Sequence, residues 1–136
     1  MAGRHFKQAR SKLTGMDATV FFNPECTNCL TVQGILDERG IDTDYVRYLE
    51  QAPTREEIER VMGILEIEDP QEMMRAKEPI YQELGLQTAS REELIDAMTA
   101  HPILIQRPIV ILGDRAVIAR PGEAVLTLLD GDEPNP

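Results

Sequence analysis

Two cysteines stand where an apolar run gives way to a helical pattern of residues. Cys26 and Cys29 are separated by Thr27 and Asn28, so the first turn of the predicted helix carries both thiols. Unpaired backbone N–H groups and the helix dipole lower the pKa of a thiol at a helix N-terminus from about 8.5 toward roughly 3.5–7.5. Cys26, on the exposed side of the turn, is therefore the predicted nucleophile.

Cys29 has two interpretations. It lies one turn further into the helix, where a second thiol can resolve a mixed bond by forming a disulfide with Cys26. At the same position it would also serve as a small apolar side chain buried in the core. The sequence makes Cys29 a candidate resolving cysteine and leaves the structural interpretation open.

A metal site is not predicted. Structural zinc sites use four ligands, and the two His of the chain, at positions 5 and 101, are far in sequence from the two Cys. In a chain without an export signal, a Cys pair is more often catalytic, redox-active or metal-binding than structural. We therefore expect thiol chemistry at Cys26 without a metal.

The composition excludes several classes of protein. The chain has 136 residues, a length typical of one domain and sufficient to bury a core without disulfides. No apolar run approaches the roughly 20 residues that a membrane helix needs, which excludes a membrane protein. The net charge of −10 argues against a nucleic-acid binder, which needs a basic surface. Residues 1–15 lack the apolar core of a secretory signal, so we expect a cytoplasmic protein.

Charge is distributed unevenly along the chain. Residues 1–15 hold four basic and no acidic residues, which predicts a basic N-terminal extension, with Met1 and Met16 both candidate start residues. Residues 16–130 are the predicted folded domain, and residues 131–136 are a predicted polar tail. Nine of the ten basic residues after position 15 are Arg. This excess indicates either bidentate oxyanion sites or a compositional bias of the lineage.

The elements around the cysteines follow from local patterns. Residues 18–22 are β-branched and aromatic and predict a first strand, which ends at Asn23-Pro24. A helix is predicted from Cys26 to a stop at Gly40, and a second strand over 43–49. A strand, helix and strand within about 30 residues form a βαβ unit with parallel strands.

A helical block and a hairpin complete the domain. Capping boxes at 54–57 and 90–93 predict two helices within an insert over about 54–100, and residues 70–86 between them predict short helical pieces interrupted by Pro79. Strands at 109–112 and 116–119 then form a hairpin, and Pro121 suits the first turn of a final helix. The order β-α-β, helical insertion, β-β-α predicts an α/β, thioredoxin-like fold with a mixed sheet.

Several segments of the chain resemble one known family. Phe22-Asn-Pro-Glu-Cys26 resembles the active-site loop of the glutaredoxin-coupled arsenate reductases, the ArsC family. Further similar segments follow in the family's order: Tyr48-Leu49-Glu50 with Pro53, Glu78-Pro79 with Leu84-Gly85-Leu86, the run His101-Pro-Ile-Leu-Ile-Gln-Arg-Pro-Ile109, and Arg120-Pro121. The run at 101–109 is the most specific of them, and the resemblance extends from about residue 18 to residue 129.

The resemblance implies a site and a reaction. Family members bind arsenate beside one Cys and three Arg, which correspond here to Cys26, Arg75, Arg107 and Arg120. It also implies that Asn23 and Pro24 shape the loop and that the Arg107–Pro108 bond is cis and faces the Cys. In the family scheme the Cys attacks arsenate, glutathione displaces the arsenic–sulfur adduct, and glutaredoxin resets the enzyme. The implied function is arsenic detoxification without a tightly bound cofactor.

This sequence departs from the family at two positions. Well-known members carry Ser and Arg at the third and fourth places after the catalytic Cys, where this chain has Cys29 and Leu30. Cys29 would then attack in place of glutathione, leaving a Cys26–Cys29 disulfide for thioredoxin or glutaredoxin to reduce.

Two alternative functions follow from the same motif. One is a Cys-x-x-Cys disulfide oxidoreductase that acts on protein or glutathione disulfides. The other is a redox-sensing transcription regulator similar to the Spx group, which binds RNA polymerase without direct contact to nucleic acid. As we interpret the resemblance, Spx proteins usually lack the second Arg-Pro. The retained Arg120-Pro121 therefore favours an enzyme.

Overall fold

The computed structural model describes residues 17–130, which fall into two compact units. The described part of the first unit comprises residues 17–47 and 107–130, and the second unit is Tyr48–Gln106. The predicted basic extension and polar tail lie outside the described residues. Within residues 17–130, no helix is long and apolar enough to cross a membrane.

Four strands and five α-helices make up the regular structure of this part of the chain. The strands are β1 (Asp17–Phe21), β2 (Asp42–Val46), β3 (Ile109–Leu112) and β4 (Arg115–Ile118). The α-helices are α1 (Thr27–Glu38), α2 (Arg55–Leu65), α3 (Pro79–Glu83), α4 (Arg91–Ala100) and α5 (Val125–Leu129). This order confirms the predicted α/β succession of elements.

All four strands belong to the first unit and form one mixed sheet in the order β2-β1-β3-β4. Strand β1 pairs in parallel with β2 and antiparallel with β3, and β3 pairs antiparallel with β4. The pairing of β2 ends at Val46, opposite Phe21, rather than at the predicted residue 49. The ladder stops there because the partner strand runs into Asn23 and Pro24, and Pro has no N–H to donate.

One face of the sheet and helix α1 share a hydrophobic core. Ala18 and Val20 alternate with residues of the opposite face, as a strand dictates, and they join a buried cluster with the α1 residues Cys29, Val32 and Leu36. These three helix residues are spaced i, i+3 and i+7, so they lie on one side of α1. Cys29 is therefore part of the surface that fixes α1 to the sheet.

The chain enters α5 through a short 3-10 turn at Gly122–Ala124. Pro121 precedes this turn with extended backbone (φ −70°, ψ 167°), and its carbonyl accepts a hydrogen bond from the Ala124 N–H at 2.9 Å. The prediction that Pro121 lies within the first turn of the final helix is therefore wrong. Its extended ψ places it one position outside the turn.

The second unit is helical, and its two longest helices begin at the predicted capping boxes. At α2 the Glu57 N–H donates to Thr54 Oγ1 at 3.1 Å, and the Thr54 N–H donates to Glu57 Oε1 at 2.9 Å. At α4 the matching Ser90 and Glu93 bonds are 3.2 and 2.9 Å. The chain also forms 3-10 turns at Pro70–Met73, Leu86–Thr88 and Pro102–Leu104.

Candidate active site

Cys26 is the N-cap residue of α1. Its backbone is extended (φ −98°, ψ 122°), its N–H donates to the Asn23 carbonyl at 3.0 Å, and its own carbonyl accepts from the Leu30 N–H at 3.0 Å. Cys26 is 8 % exposed and Cys29 is 0 % exposed, and both are free thiols. Both thiols are thus buried, so the expectation that Cys26 lies on the exposed side of the turn is wrong, although Cys26 keeps a small exposed fraction that Cys29 lacks.

The loop before α1 is held together by Asn23. Its side-chain Oδ1 accepts a hydrogen bond from the Glu25 N–H at 3.0 Å, which closes a turn around the exposed Pro24. Its backbone N–H donates to Cys29 Sγ at 3.4 Å. Asn23 therefore contacts both ends of the C-x-x-C segment, through its carbonyl to Cys26 and its N–H to Cys29.

The pKa of Cys26 is lowered despite its burial. Burial alone raises this pKa, but hydrogen bonds from the Cys29 backbone N–H and the Cys29 thiol lower it. A hydrogen bond from the Arg107 side chain and the positive charge of Arg107 lower it further. Because the lowering contributions outweigh burial, a larger fraction of Cys26 is thiolate at neutral pH than for an ordinary Cys.

The pKa of Cys29 moves in the opposite direction. Its pKa is raised to about 12, chiefly by burial and further by the neighbouring Cys26. The hydrogen bond from the Asn23 N–H and the charge of Arg107 act against the increase. Cys29 is therefore a protonated hydrogen-bond donor, whereas Cys26 is the more readily ionised of the two thiols.

Two of the predicted arginines lie in the first unit at Arg-Pro steps. The Arg107–Pro108 peptide bond is cis, the isomer expected from the sequence, and the Arg120–Pro121 bond is also cis, which the sequence did not indicate. Arg120 Nη1 donates to the carbonyl of Arg107 at 2.8 Å, and the Ala119 N–H donates to the Pro108 carbonyl at 2.9 Å. The structure thus brings Arg120 to Arg107, and Arg107 to Cys26.

The third predicted arginine, Arg75, lies in the second unit. Its Nε donates to Glu78 Oε2 at 3.1 Å, and both side chains are partly buried. Its backbone N–H donates to the Leu104 carbonyl at 2.7 Å, and the Gln106 N–H donates to the Met73 carbonyl at 2.9 Å. Arg75 is therefore held by its own unit, on a segment paired with the residues that immediately precede Arg107 in the chain.

Most of the arginines left outside the predicted site make ion pairs or carbonyl contacts. Arg39 pairs with Asp130 at 3.0 Å, and Arg115 Nη1 donates to the Leu128 carbonyl at 3.3 Å. In the second unit, Arg55 and Arg91 share a group of acidic side chains: Glu59, Glu92 and Asp96. These contacts are what surface arginines commonly make.

Sequence reasoning missed one residue of the site, Asn28. Its Oδ1 accepts a hydrogen bond from the Gly122 N–H at 3.0 Å, across 94 positions of the chain. No local pattern indicates such a contact, because an Asn in a helical first turn is equally compatible with solvent exposure. The only signal is a Gly two residues after Arg120, at a point where nothing in the sequence demands one.

The arrangement has a definite chemical capacity. The Cys26 thiol, whose pKa is lowered, lies at a helix N-terminus beside the Arg107 guanidinium, and the Arg120 guanidinium donates a hydrogen bond to the backbone carbonyl of Arg107. Such a site suits nucleophilic attack on a small electrophile that carries negative charge. Among residues 17–130, no group of three or more His, Cys, Asp or Glu side chains is placed to hold a metal ion.

Comparison with known proteins gives consistent results. The ArsC family matches residues 21–128 of the chain. An arsenate reductase of Haemophilus influenzae is 36% identical over 116 residues, which are 84% of this chain and 100% of the relative. An arsenate reductase of Neisseria meningitidis serogroup A is 34% identical over 112 residues, 81% of this chain and 96% of that protein.

A solved structure shows the same fold. An arsenate reductase from Vibrio cholerae superimposes with a TM-score of 0.79 at 37% identity, covering 82% of this chain and 96% of the other. This likeness confirms the thioredoxin-like α/β fold predicted from the order of elements.

Proposed function

The chain belongs to the ArsC family, and from that membership we propose that it is an oxidoreductase that reduces arsenate to arsenite with Cys26 as nucleophile. The observation that carries the proposal is the contact of Cys26 with Arg107, whose carbonyl in turn accepts a hydrogen bond from Arg120. A thiolate next to one guanidinium group, with a second held at the backbone carbonyl of that arginine, suits a tetrahedral oxyanion that must be bound and then attacked.

Binding of an oxyanion to this chain requires local positive charge, because the protein as a whole carries a net charge of −10. Arg107 and Arg120 supply that charge in the first unit, and the N-terminus of α1 adds its partial positive charge. The α1 first turn contains no acidic residue that would repel an anion. The family motif assigns Arg75 as the third anion ligand, and this assignment depends on the motif alone.

The first chemical step forms a bond between sulfur and arsenic. The Cys26 thiolate attacks the arsenic(V) atom, and one arsenate oxygen leaves as hydroxide, which is protonated to water. Arg107 and Arg120 neutralise the charge of the remaining oxygens. No oxidation state changes in this step, and the product is a Cys26–arsenic(V) adduct.

The second step is the reduction. A second thiolate attacks the Cys26 sulfur, the S–As bond breaks, and its electron pair goes to arsenic, which leaves as arsenic(III) in arsenite. The two sulfurs are thereby oxidised to a disulfide. Either glutathione, with glutaredoxin to reset the enzyme, or Cys29, with thioredoxin or glutaredoxin, supplies this second thiol.

We infer that Cys29 takes this role. Its sulfur accepts a hydrogen bond from the Asn23 N–H, which stabilises a thiolate there as well. The Cys26 charge is one of the causes that raise the pKa of Cys29. That charge is consumed once Cys26 bonds to arsenic, so Cys29 becomes easier to ionise after the first step than before it.

The direct test is arsenate-dependent NADPH oxidation with two donor systems. One contains glutathione, glutathione reductase and glutaredoxin, and the other contains thioredoxin and its reductase. We expect turnover with wild type and none with Cys26→Ser. Turnover with thioredoxin that disappears in Cys29→Ser identifies Cys29 as the resolving thiol, whereas full activity of Cys29→Ser with glutathione and glutaredoxin assigns that role to glutathione.

A second candidate function is a disulfide oxidoreductase. It is favoured by Leu30, an apolar side chain that is 48 % exposed one turn after Cys26, where well-known family members carry an Arg. An apolar residue there suits contact with a protein or glutathione disulfide better than with an anion. Disulfide reduction without any arsenate dependence in either donor system would favour this function, and a complex with RNA polymerase would favour the regulator similar to Spx.

A further inference from the structure

The geometry points to Asn28 as a positioning residue of the oxyanion site, whose side-chain amide holds the segment Arg120-Pro121-Gly122 against the first turns of α1. The inference rests on the proposed function, because the placement of this segment matters through Arg120 as an anion ligand. Asn28 itself acts through Arg120 and is not proposed to contact the substrate.

The contact between the two parts of the chain is close and specific. Asn28 Oδ1 accepts the Gly122 N–H at 3.0 Å, and Gly122 is buried while Asn28 is half-buried. A Cβ atom added at Gly122 would lie 2.8 Å from the Asn28 carbonyl oxygen and 2.8 Å from Thr31 Cβ. Only a residue without a side chain fits here, so the segment approaches α1 as closely as a backbone can.

The same segment is attached at a second point. Arg120 Nη1 donates to the Arg107 carbonyl at 2.8 Å, and the Arg107 side chain lies close enough to the Cys26 sulfur to lower its pKa. Cys26 and Asn28 lie two residues apart at the start of α1. The contacts therefore run in a closed ring from Cys26 to Arg107, to Arg120, to Gly122, to Asn28 and back along the helix to Cys26.

The ring explains how an exposed arginine is kept in place. Arg120 is exposed, and a long exposed side chain loses conformational entropy when it is held in one geometry. The Asn28 bond fixes the backbone two residues after Arg120, and the Arg107 carbonyl fixes its guanidinium. Without the Asn28 bond, Arg120 is held only from the hairpin side, by the Arg107 carbonyl and the Ala119–Pro108 bond, so we expect its guanidinium to sample a wider range of distances from Cys26.

The Asn28 side-chain amide also suits a position near a bound anion because it is uncharged. A carboxylate at position 28 would accept the same Gly122 N–H, but it would place a negative charge beside a bound anion. An amide oxygen accepts the bond without that repulsion. We therefore expect Asn28→Asp to keep the segment in place and still bind arsenate less well than wild type.

The test measures how tightly arsenate binds to a protein that lacks the nucleophile and therefore cannot perform the reaction. Arsenate is titrated calorimetrically into Cys26→Ser and into Cys26→Ser combined with Asn28→Ala, with Gln33→Ala on the same helix as the matched control. We expect Asn28→Ala to raise the arsenate Kd by about tenfold, the scale of weakening one charge-assisted hydrogen bond from Arg120 to the anion. Gln33→Ala is expected to leave the Kd unchanged, and an unchanged Kd in the Asn28→Ala protein overturns the inference.

A second readout separates positioning from a general structural role. The rate at which iodoacetamide alkylates Cys26 is measured against pH in wild type and in Asn28→Ala alone, with the modified cysteine identified by mass spectrometry. The Cys26–Arg107 contact does not depend on Asn28, so the two profiles are expected to coincide. A shifted profile would mean that Asn28 supports the whole start of α1, and it would overturn the specific role toward Arg120.

Gly122→Ala provides an independent variant should Asn28→Ala fold poorly. The added methyl group displaces the same segment from the same side, so we expect a similar increase in Kd and no larger increase when both changes are combined. Additive effects would show that the two residues act separately, against the inference. If Cys26→Ser binds no arsenate at all, the oxyanion site of the proposed function fails, and this result is distinct from an unchanged Kd in the Asn28 variant.

Discussion

The start of α1 in the first unit differs from the starts of α2 and α4 in the second. At α2 and α4 a hydroxyl at the N-cap and a carboxylate three residues later bind each other's backbone N–H groups. At α1 the same two positions hold Cys26 and Cys29, and the Cys29 N–H and thiol act on the Cys26 sulfur and lower its pKa. One arrangement stabilises a helix end, and the other uses the helix end to stabilise a thiolate.

Acidic residues in the first helical turn also distinguish α2 and α4 from α1. The first turns of α2 and α4 each contain two Glu, which interact favourably with the positive end of the helix dipole. The first turn of α1 contains none. The positive end of α1 therefore has no acidic side chain in its first turn beside the Cys26 sulfur, and this difference from α2 and α4 agrees with the proposed binding of an anion there.

The largest expected effect is loss of turnover when the thiol at the start of α1 is removed. Cys26→Ser should reduce arsenate-dependent NADPH oxidation to the rate without enzyme, because a serine hydroxyl remains protonated at neutral pH. Cys29→Ser should still form the Cys26–arsenic adduct, which mass spectrometry detects after arsenate is added without a reductant. Adduct formation by Cys26→Ser would contradict the assignment of the nucleophile.

The next effect concerns the guanidinium that faces the thiolate. Arg107 lowers the pKa of Cys26, so Arg107→Ala should raise it and move the inflection of the alkylation rate to higher pH. The sign follows because alkylation needs the thiolate, which is lost as the pH falls through the pKa. Arg39→Ala, which removes the same charge from an exposed ion pair with Asp130, should leave the inflection unchanged. An unshifted profile in Arg107→Ala would assign the lowered pKa to the hydrogen bonds from the Cys29 N–H and thiol instead.

Substituting the site arginines by lysine should separate the contribution of the positive charge from that of the planar guanidinium group. Arg107→Lys and Arg120→Lys keep the charge but lose the planar fork that binds an oxyanion through two hydrogen bonds. We expect each to raise the arsenate KM by about tenfold, the scale of one charge-assisted hydrogen bond. Steady-state kinetics over a range of arsenate concentrations measures this, and unchanged kinetics in both variants would exclude these residues from the site.

Removing a capping box should affect stability and leave chemistry unchanged. Thr54→Ala and Ser90→Ala should each lower the free energy of unfolding by about 1 kcal/mol, because the N3 backbone N–H loses its acceptor. Thr27→Ala, at the first position of α1 and exposed, is the matched change without a cap. Urea denaturation measures the stabilities. A change in Cys26 alkylation with either capping variant would mean that the two kinds of helix start are not independent.

The smallest expected effect comes from restoring a cation near Cys26. Leu30→Arg places a guanidinium on an exposed position one turn from Cys26, and we expect the arsenate KM to fall by a few-fold, on the scale of a partly screened charge. Leu84→Arg is the control, since Leu84 is 46% exposed and the change in net charge is the same. An equal fall in both variants would show a general effect of net charge.

Local signals account for what the sequence predicted well. The capping boxes predicted the starts of α2 and α4, because Thr54 and Glu57, or Ser90 and Glu93, interact within one turn. The first strand was predicted at 18–22 and lies at Asp17–Phe21, since a short run of β-branched and aromatic residues has few alternatives. The position of Cys26 at a helix start followed from the same kind of pattern.

Contacts between distant parts of the chain account for what was missed. The end of β2 at Val46 depends on where its partner β1 ends, and the Asn28–Gly122 bond joins residues 94 positions apart. The pairing of Arg120 with the Arg107 carbonyl depends on the hairpin that separates them. None of these is determined within one turn or one strand, so no periodicity in the sequence indicates them.

The first unit is discontinuous, and this has a consequence for the order in which the site is completed during synthesis. Strand β1 lies between β2 and β3, so one of its edges has no partner until residues 109–112 have been made. The second unit is continuous in sequence and is finished earlier. Both thiols therefore emerge from the ribosome well before Arg107 and Arg120, so the contacts that lower the pKa of Cys26 are complete only after the segment with Arg107 has been translated.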